Sequence, residues 1–286
     1  METQRPLCLK GSWRLVSDNM TASVSQAQIE AATAYEALFV PALFGPWAPI
    51  VADFAQIKTG DRVLDIACGT GVLAREAAAR TGVLGHVAGL DPHAGMLAVA
   101  SDLSPAIDWR EGTAEALPFP DRSFDVVVSQ FGLMFFTDRD KAIHEMLRVM
   151  VAGGRCAVAV WDVIENAPPF AVLVGLLDRI AGTAAGDALR APFVLGDRRA
   201  LAALFSGAGA TSVDVTTRQG PARFPSTREL VEAELRGWLP VMGVVLPEPE
   251  IRLIVAEAEK VLAPYVTSDG GTAFSMSAHL VSSRKP

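Results

Sequence analysis

Between Arg62 and Trp161 the chain repeats one pattern: a short apolar run, a turn, then a stretch of helical period. Apolar runs of about four to eight residues bounded by turn signals read as strands, and the longer stretches between them as helices. The pattern predicts strands at Arg62–Ala67, His86–Leu90, Ala106–Arg110, Phe124–Gln130 and Arg155–Trp161. It predicts helices at Gly71–Arg80, Ala94–Asp102 and Asp140–Met150. Ile143, Leu147 and Met150 share a face of the last helix, and the "AGG" that follows reads as its cap. Two prolines forbid regular structure in the loop "LPFPDRS".

The flanks are more helical. Val24–Phe44 has helical period, with Ile29, Tyr35, Leu38 and Phe39 among its apolar and aromatic positions. Pro46 and Pro49 bracket a second helix running to Gln56, and "KTGD" is a turn. After Trp161 the rhythm changes. Phe170–Ile180 reads as a helix, "GTAAGDALRAPF" as loose chain, and Asp197 as the cap of a helix ending near Ser206. Thr211–Gln219 alternates like a strand, Ser226–Leu239 and Pro249–Leu262 are helical, and "TAFSMSAHLVSS" is a last strand.

Apolar strands alternating with helices imply an α/β fold: a parallel sheet covered on both faces. Residues 23–161 are the expected core, with 197–219 and 271–286 adding a helix and two strands. Residues 162–196 and 220–270 read as helical insertions that form a lid, and 1–22 as a flexible leader in which Met20 is an alternative start. Ligands bind such sheets outside the carboxyl ends of the strands, so the chemistry is expected in the loops there.

Composition narrows the function. Lysine and arginine total 25 against 32 acidic residues, a net charge of −7, which argues against nucleic acid as a partner. Cys8, Cys68 and Cys156 are far apart, with no metal-ligand spacing, so neither a disulfide framework nor a metal site is expected. No apolar run is long enough to span a membrane, and "METQRPLCLKGSWRLVSDN" lacks the apolar core of a signal peptide. A reducing cytoplasm is the simplest setting.

The stretch "RVLDIACGTGVLA" carries the chemistry. Gly69, Gly71 and Ala74 fit G-x-G-x-x-A between a strand and a helix. A pyrophosphate would suit the helix N-terminus but not Asp65 beside it, because a second negative charge close by is repulsive. A zwitterionic amino acid fits both, with its carboxylate toward the helix end and its ammonium toward Asp65. Asp91, ending the second strand, stands where an acid accepts from ribose hydroxyls. An amino acid joined to an adenosine is S-adenosylmethionine.

At this point a resemblance is plain. "VLDIACGTG" resembles motif I of class I S-adenosylmethionine-dependent methyltransferases, and "GLDPHAGMLAVA" their second-strand motif. "GTAEALPFPDRSFDVVVSQFGLMFF" resembles their third and fourth motifs, and "AIHEMLRVMVAGGRCAVAV" the segment often written R-V-L-K-P-G-G. The nearest look is to the ubiquinone/menaquinone-biosynthesis-like group of small-molecule methyltransferases. The resemblance implies a doubly wound, Rossmann-like, mostly parallel sheet of seven strands, the last antiparallel. It implies S-adenosyl-L-methionine as cofactor, S-adenosyl-L-homocysteine as product, no metal, and a small-molecule methyl acceptor. It leaves room for a homodimer.

By position, the resemblance places Asp65, Ala67, Gly69 and Gly71 around the methionine moiety. Asp91 would hold the ribose, with Pro92 and Met96 beside the adenosine. Thr113, Ala114 and Glu115 occupy the loop that contacts the adenine edge, and Gln130 and Phe131 end the fourth strand facing cofactor and substrate. Many relatives have Gly-Asp-Ala where Gly112-Thr113-Ala114 stands, and Thr113 cannot accept the adenine amino hydrogen as a carboxylate would. Val151-Ala152 replaces the usual Lys-Pro, in a turn where no functional consequence is expected.

Other residues carry both a plain and a functional reading. Tyr35 packs in its helix or closes over the sulfonium, where a cation beside an aromatic face is favourable. Phe131, Met134 and Trp161, with Trp238 from the late insertion, are core or walls of an acceptor pocket. Asp162, on the same rim, and Tyr35 are the candidate general bases. His86 and His93 read as solvated, and His144 and His279 form no ligand pair. The rivals to methyl transfer are an NAD-dependent oxidoreductase, a non-catalytic S-adenosylmethionine-binding protein, and a different S-adenosylmethionine reaction on the same fold.

Overall fold

The computed structural model describes residues 24–286, so the leader expected at 1–22, with Met20, lies outside the described residues. Seven strands form one sheet: β1 (Arg62–Ile66), β2 (His86–Asp91), β3 (Asp108–Glu111), β4 (Phe124–Gln130), β5 (Met150–Trp161), β6 (Thr211–Phe224) and β7 (Thr272–Arg284). Eleven α-helices accompany them among the described residues. These are α1 (Gln26–Phe39), α2 (Trp47–Phe54), α3 (Val72–Thr81), α4 (Ala94–Leu103), α5 (Arg139–Val149), α6 (Pro168–Ile180), α7 (Thr183–Arg190), α8 (Arg198–Gly207), α9 (Thr227–Ala233), α10 (Leu239–Val241) and α11 (Glu248–Val261). No single helix among the described residues is long and apolar enough to cross a membrane.

The strand order is β3-β2-β1-β4-β5-β7-β6. Every pairing from β3 to β5 is parallel, and β7 runs antiparallel to both neighbours. The sheet is therefore the doubly wound, Rossmann-like one expected. β1 and β4 are neighbours although β2 and β3 intervene in sequence, so strand order reverses between them. Helices α2 and α3 pack together on one face, α5 and α8 on the other. The parallel strands are buried on both sides, which is why Val63, Leu64, Val126, Val127 and Val128 run apolar without alternation.

Several local expectations are corrected. "GTAAGDALRAPF" is not loose: it contains α7. Gly182 precedes that helix at φ +89°, and its Gly186 packs so closely on Asp178 that a Cβ would lie 1.9 Å from the carboxylate. Arg190 then bridges to Asp178. "AGG" does not cap α5. Met150 already begins β5, and the glycines sit in a bulge where the β4–β5 register jumps from Phe124↔Met150 to Val126↔Arg155. β6 does not stop at Gln219 but pairs with β7 as far as Phe224, so 220–224 lies in the sheet.

Gly220 shows why β6 can pass so close to α2. A Cβ there would meet the Trp47 indole at 2.6 Å, and Trp47 is wholly buried. Gly220→Ala is expected to cost about 1–3 kcal/mol through overpacking. Gly237→Ala, where no atom lies within 4 Å, is expected to be neutral or slightly stabilising. Urea unfolding of both variants checks the pair.

Candidate active site

The turns after β1 and β4 meet where strand order reverses. Ala67 and Phe131, the residues just past these strands, both have left-handed backbone, φ +56° and +58°. Outside glycine this conformation is costly and collects at functional sites. Gly132 allows the two turns to touch, since a Cβ there would come within 2.6 Å of the Ala67 Cβ. The β1 turn is tied to β2 by Cys68 N–H donating to Leu90 O at 3.0 Å and Gly69 N–H donating to the Asp91 carboxylate at 2.9 Å. Gly69 has nothing within 4 Å of its missing Cβ, so a ligand can approach its backbone. Gly71, at φ +87°, begins α3 without a side-chain cap, leaving amide hydrogens of the first turn unclaimed.

Inside this frame lies a small cavity lined by Tyr35, Phe44, Asp65, Ala67, Cys68, Gly69, Val72, Leu73 and Gln130. Its volume is about 30 Å³, room for one water molecule. Asp65 is 1% exposed, and neither carboxylate oxygen has a hydrogen-bond partner among the described residues. Gln130 Nε2 donates to Phe44 O at 3.0 Å, while its Oε1 is buried without a partner. Three orphaned acceptor atoms thus line a cavity that has no basic side chain. Burial lifts the Asp65 carboxyl well above its ordinary range, the Ala74 N–H in the first turn of α3, close by but outside hydrogen-bond geometry, offsets part of this, and nearby Asp91 adds to it. Burial, with Asp65 and Asp91 close by, likewise raises the Cys68 thiol, so it is no ready nucleophile.

The roof is α1 and the π-helical turn Val40–Phe44 that continues it. Pro41 lacks the amide an α-helix would need there, and Gly45 N–H reaches back five residues to Val40 O. Tyr35 stacks on Phe44, ring centroids 5.4 Å apart. Arg75 on α3 holds the roof down, bonding Glu36 of α1 at 2.7 Å and the Thr70 carbonyl. Gly95 on α4 lets the Gln28 carbonyl of α1 come so near that a Cβ would be 2.6 Å away.

The site residues expected from sequence are only partly brought together. Asp65, Ala67, Gly69, Gln130 and Tyr35 line the cavity. Gly71 and Asp91 shape it from behind, the latter also accepting His93 N–H at 2.9 Å. Pro92, Met96, Thr113 and Ala114 do not line it.

Glu115 is engaged within the chain. Its carboxylate accepts the N–H groups of Thr137 and Asp138 ahead of α5. Tyr35 is a correction as a base. Burial, with Asp91 and Glu36 nearby, pushes its phenol pKa up and keeps it protonated.

Asp162 is a correction too. Its oxygens accept Ser277 Oγ at 2.8 Å, Asn166 Nδ2 at 2.8 Å and Val163 N–H at 2.7 Å. Burial alone would raise its pKa, but these bonds outweigh that and hold it below the ordinary range. With His279 Nε2 at 3.1 Å, Asp162 clamps β5 to β7.

Phe131, Met134, Trp161 and Trp238, expected around the acceptor, do not line this small cavity. Phe131 stacks on Trp161 at 3.7 Å, with Trp47 edge-on to both, behind Phe44. Met134 is buried in the core, and Trp238 donates to Ala188 O and packs on Phe135. Sequence reasoning missed Phe44, Val72, Leu73 and the Glu36–Arg75 latch. It also missed Trp109, whose indole fills the space opposite Gly71 and Gly89. Only the glycines hinted at that last contact.

Residues 64–158 match the family model described as a methyltransferase domain. Over this stretch the chain is similar to class I methyltransferase domains of the ubiquinone/menaquinone type. Among curated proteins it is similar to the ubiquinone/menaquinone biosynthesis C-methyltransferase of Stenotrophomonas maltophilia, 46% identical over 118 residues. That alignment covers 39% of this chain and 47% of the relative. It is also similar to the 2-phytyl-1,4-naphtoquinone methyltransferase of Thermosynechococcus vestitus, 40% identical over 115 residues, covering 39% of this chain and 51% of the relative. The match therefore spans about half the length of these relatives. Among solved structures, phosphoethanolamine N-methyltransferase 2 of Haemonchus contortus superimposes with a TM-score of 0.56 at 20% identity. It covers 92% of this chain and 58% of that one, a likeness of fold.

Because the Asp65 carboxyl is raised, the folded protein resists its ionisation. Stability is lost as pH rises from the unfolded carboxyl range, near 4, toward the folded value. Asp65→Asn is expected to raise the melting temperature at neutral pH and leave it nearly unchanged at pH 3. The same variant is expected to weaken S-adenosylhomocysteine binding about a hundredfold, since a buried ammonium loses its counter-charge. Thermal scans at two pH values and calorimetric titration check both halves.

Proposed function

We propose that the protein transfers a methyl group from S-adenosylmethionine to a small, partly apolar, quinone-like acceptor. The single observation carrying the cofactor half is the orphaned acceptor set, Asp65 Oδ1 and Oδ2 with Gln130 Oε1, lining one cavity beside an uncapped helix start. Such a set fits the ammonium of an amino acid, while the free amides of α3 and its positive dipole end fit the carboxylate. Asp91 is positioned by Gly69 N–H and His93 N–H, with lone pairs remaining for ribose hydroxyls. A pyrophosphate at the same helix end would face the Asp65 carboxyl, so no observation favours a nicotinamide cofactor.

S-adenosylmethionine, when bound, supplies a sulfonium methyl group for in-line displacement by a nucleophile. The chain's own work is to bind, align and exclude water. Tyr35 and Phe44 close the cavity with aromatic faces, which suit a sulfonium electrostatically. Small-molecule sites enclose about 300–1,000 Å³, so α1 and the π turn must swing away for entry and return for transfer. The aromatic layer of Phe44, Phe131, Trp47 and Trp161 behind this roof, and the quinone methyltransferases among the relatives, support a flat apolar acceptor. No general base is assigned. The proposed setting is the cytoplasm, and none of these steps requires a homodimer.

The test is incubation with methyl-labelled S-adenosylmethionine and a panel of short-chain hydroquinones and hydroxylated aromatics. Label transfer with equimolar S-adenosylhomocysteine is the expected result. Cofactor binding without release of S-adenosylhomocysteine on any acceptor would point to the non-catalytic alternative. Gln130→Leu is expected to raise the cofactor KM about tenfold with a smaller change in kcat, because it removes a ground-state contact.

A further inference from the structure

Neither Tyr35 nor Asp162 can take the proton of a hydroxylated acceptor, but the helical segment after β6 holds another acid. Helix α9 runs on through a π-helical turn, Glu234–Trp238, into α10. Thr227, Leu230, Val231, Glu234 and Trp238 recur at helical spacing and form one inward stripe. Both ends of the stripe are anchored. Thr227 Oγ1 bonds Thr272 Oγ1 at 2.7 Å, where β7 begins. Trp238 packs on Phe135 in the turn just past β4, ring centroids 5.2 Å apart. β5 lies between β4 and β7, so the stripe crosses the rim over the carboxyl end of β5. Trp161 ends that strand, stacked on Phe131. Glu234, one turn before Trp238, is about 6 Å along the helix from that anchor.

Glu234 is 5% exposed, and burial alone acts on its carboxyl, pushing it up to about 8. The charged groups on the elements around it are engaged with one another. Arg228 pairs with Glu232 and Glu259, Arg236 and Arg252 with Glu248, and Lys260 with Glu257. Arg190 of α7 pairs with Asp178 and Asp187. None of these, nor Glu229, Glu250 or Arg179, shifts the Glu234 carboxyl. An acid without a partner in an apolar setting is costly, and π turns collect at functional sites.

We infer that Glu234 is the general base for the methyl acceptor, a hydroxylated aromatic ring held between this stripe and the Phe131–Trp161 stack. The inference rests on the methyl-transfer reading. The acceptor hydroxyl gives its proton to the Glu234 carboxylate. The phenolate electrons form the bond to the methyl carbon as the carbon–sulfur bond breaks. That bond's electron pair stays on sulfur, leaving a neutral thioether. A base that titrates close to neutral pH is matched to this proton transfer.

Initial rates with labelled S-adenosylmethionine, followed across pH with two phenols, test the assignment. 4-Methoxyphenol keeps its proton at neutral pH, and pentafluorophenol has already lost it. With 4-methoxyphenol, kcat/KM for the acceptor is expected to rise with pH to a plateau, with a midpoint near 8, because the carboxylate is the form that accepts the proton. Glu234→Gln is expected to lower it about a hundredfold while S-adenosylhomocysteine binds as before. With pentafluorophenol the rising limb is expected to vanish, and the loss in Glu234→Gln to shrink at least tenfold, roughly the reach of the lost proton transfer. Undiminished turnover of 4-methoxyphenol by Glu234→Gln, an equal loss on both phenols, or no rising limb in the unaltered protein would overturn the role of Glu234 alone. Cofactor binding without transfer to any acceptor would overturn the methyl-transfer reading, and this base with it.

Discussion

One carboxyl group, Asp65, is buried at the centre of the sheet with no hydrogen bond to either oxygen. An unpaired buried acid is expensive, and a fold keeps one only where something else compensates. β1 fixes the group between two parallel neighbours, so it cannot turn to solvent. The turn that follows is built to bring a ligand to it, with Gly69 open, Gly71 left-handed at the start of α3, and Asp91 pinning the loop to β2. The cost of Asp65 in the free protein and its value in the complex are two sides of one electrostatic fact.

The other side of the site depends on the reversal of strand order. Because β4 returns beside β1, the turns after both strands share one space. Gly132 against Ala67 sets how close they come, and the left-handed residues on each turn hold them there. Gln130 then links this rim to the roof through the Phe44 carbonyl, while Glu36 and Arg75 fasten the roof to α3. Recognition groups sit on rigid strand ends, and closure belongs to a separate helical element held by a few polar contacts.

Much of this was legible in sequence where the signal is local. The strand–turn–helix at Arg62–Arg80 is written in apolar runs and glycines, and Asp197 caps α8 by accepting Arg199 and Ala200 N–H as its residue type suggests. What failed was long-range. Asp162 has the chemistry of a base, but Ser277 and His279, which consume it, lie on the last strand. Glu115 has the chemistry of an adenine-loop ligand, yet it serves the start of α5. α7 carries alanines and a leucine, but Gly182, Gly186 and Pro192 in and around it read as loose chain, and its docking on α6 settles the helix. Phe131 and Trp161 fall at strand ends where a pocket wall is expected, and their stacking on each other was not legible there. In each case a residue's type showed what it could do, and tertiary contacts decided whether it was free to do it.

The most direct measurement is the carboxyl carbon resonance of Asp65, followed by NMR across pH with and without S-adenosylhomocysteine. In the free protein the account predicts a titration midpoint well above the ordinary carboxylate range. In the complex it predicts a carboxyl already ionised at neutral pH, because the ligand's ammonium supplies the missing partner. An Asp65 that titrates near 4 in the free protein, or whose titration the ligand leaves unchanged, would contradict it.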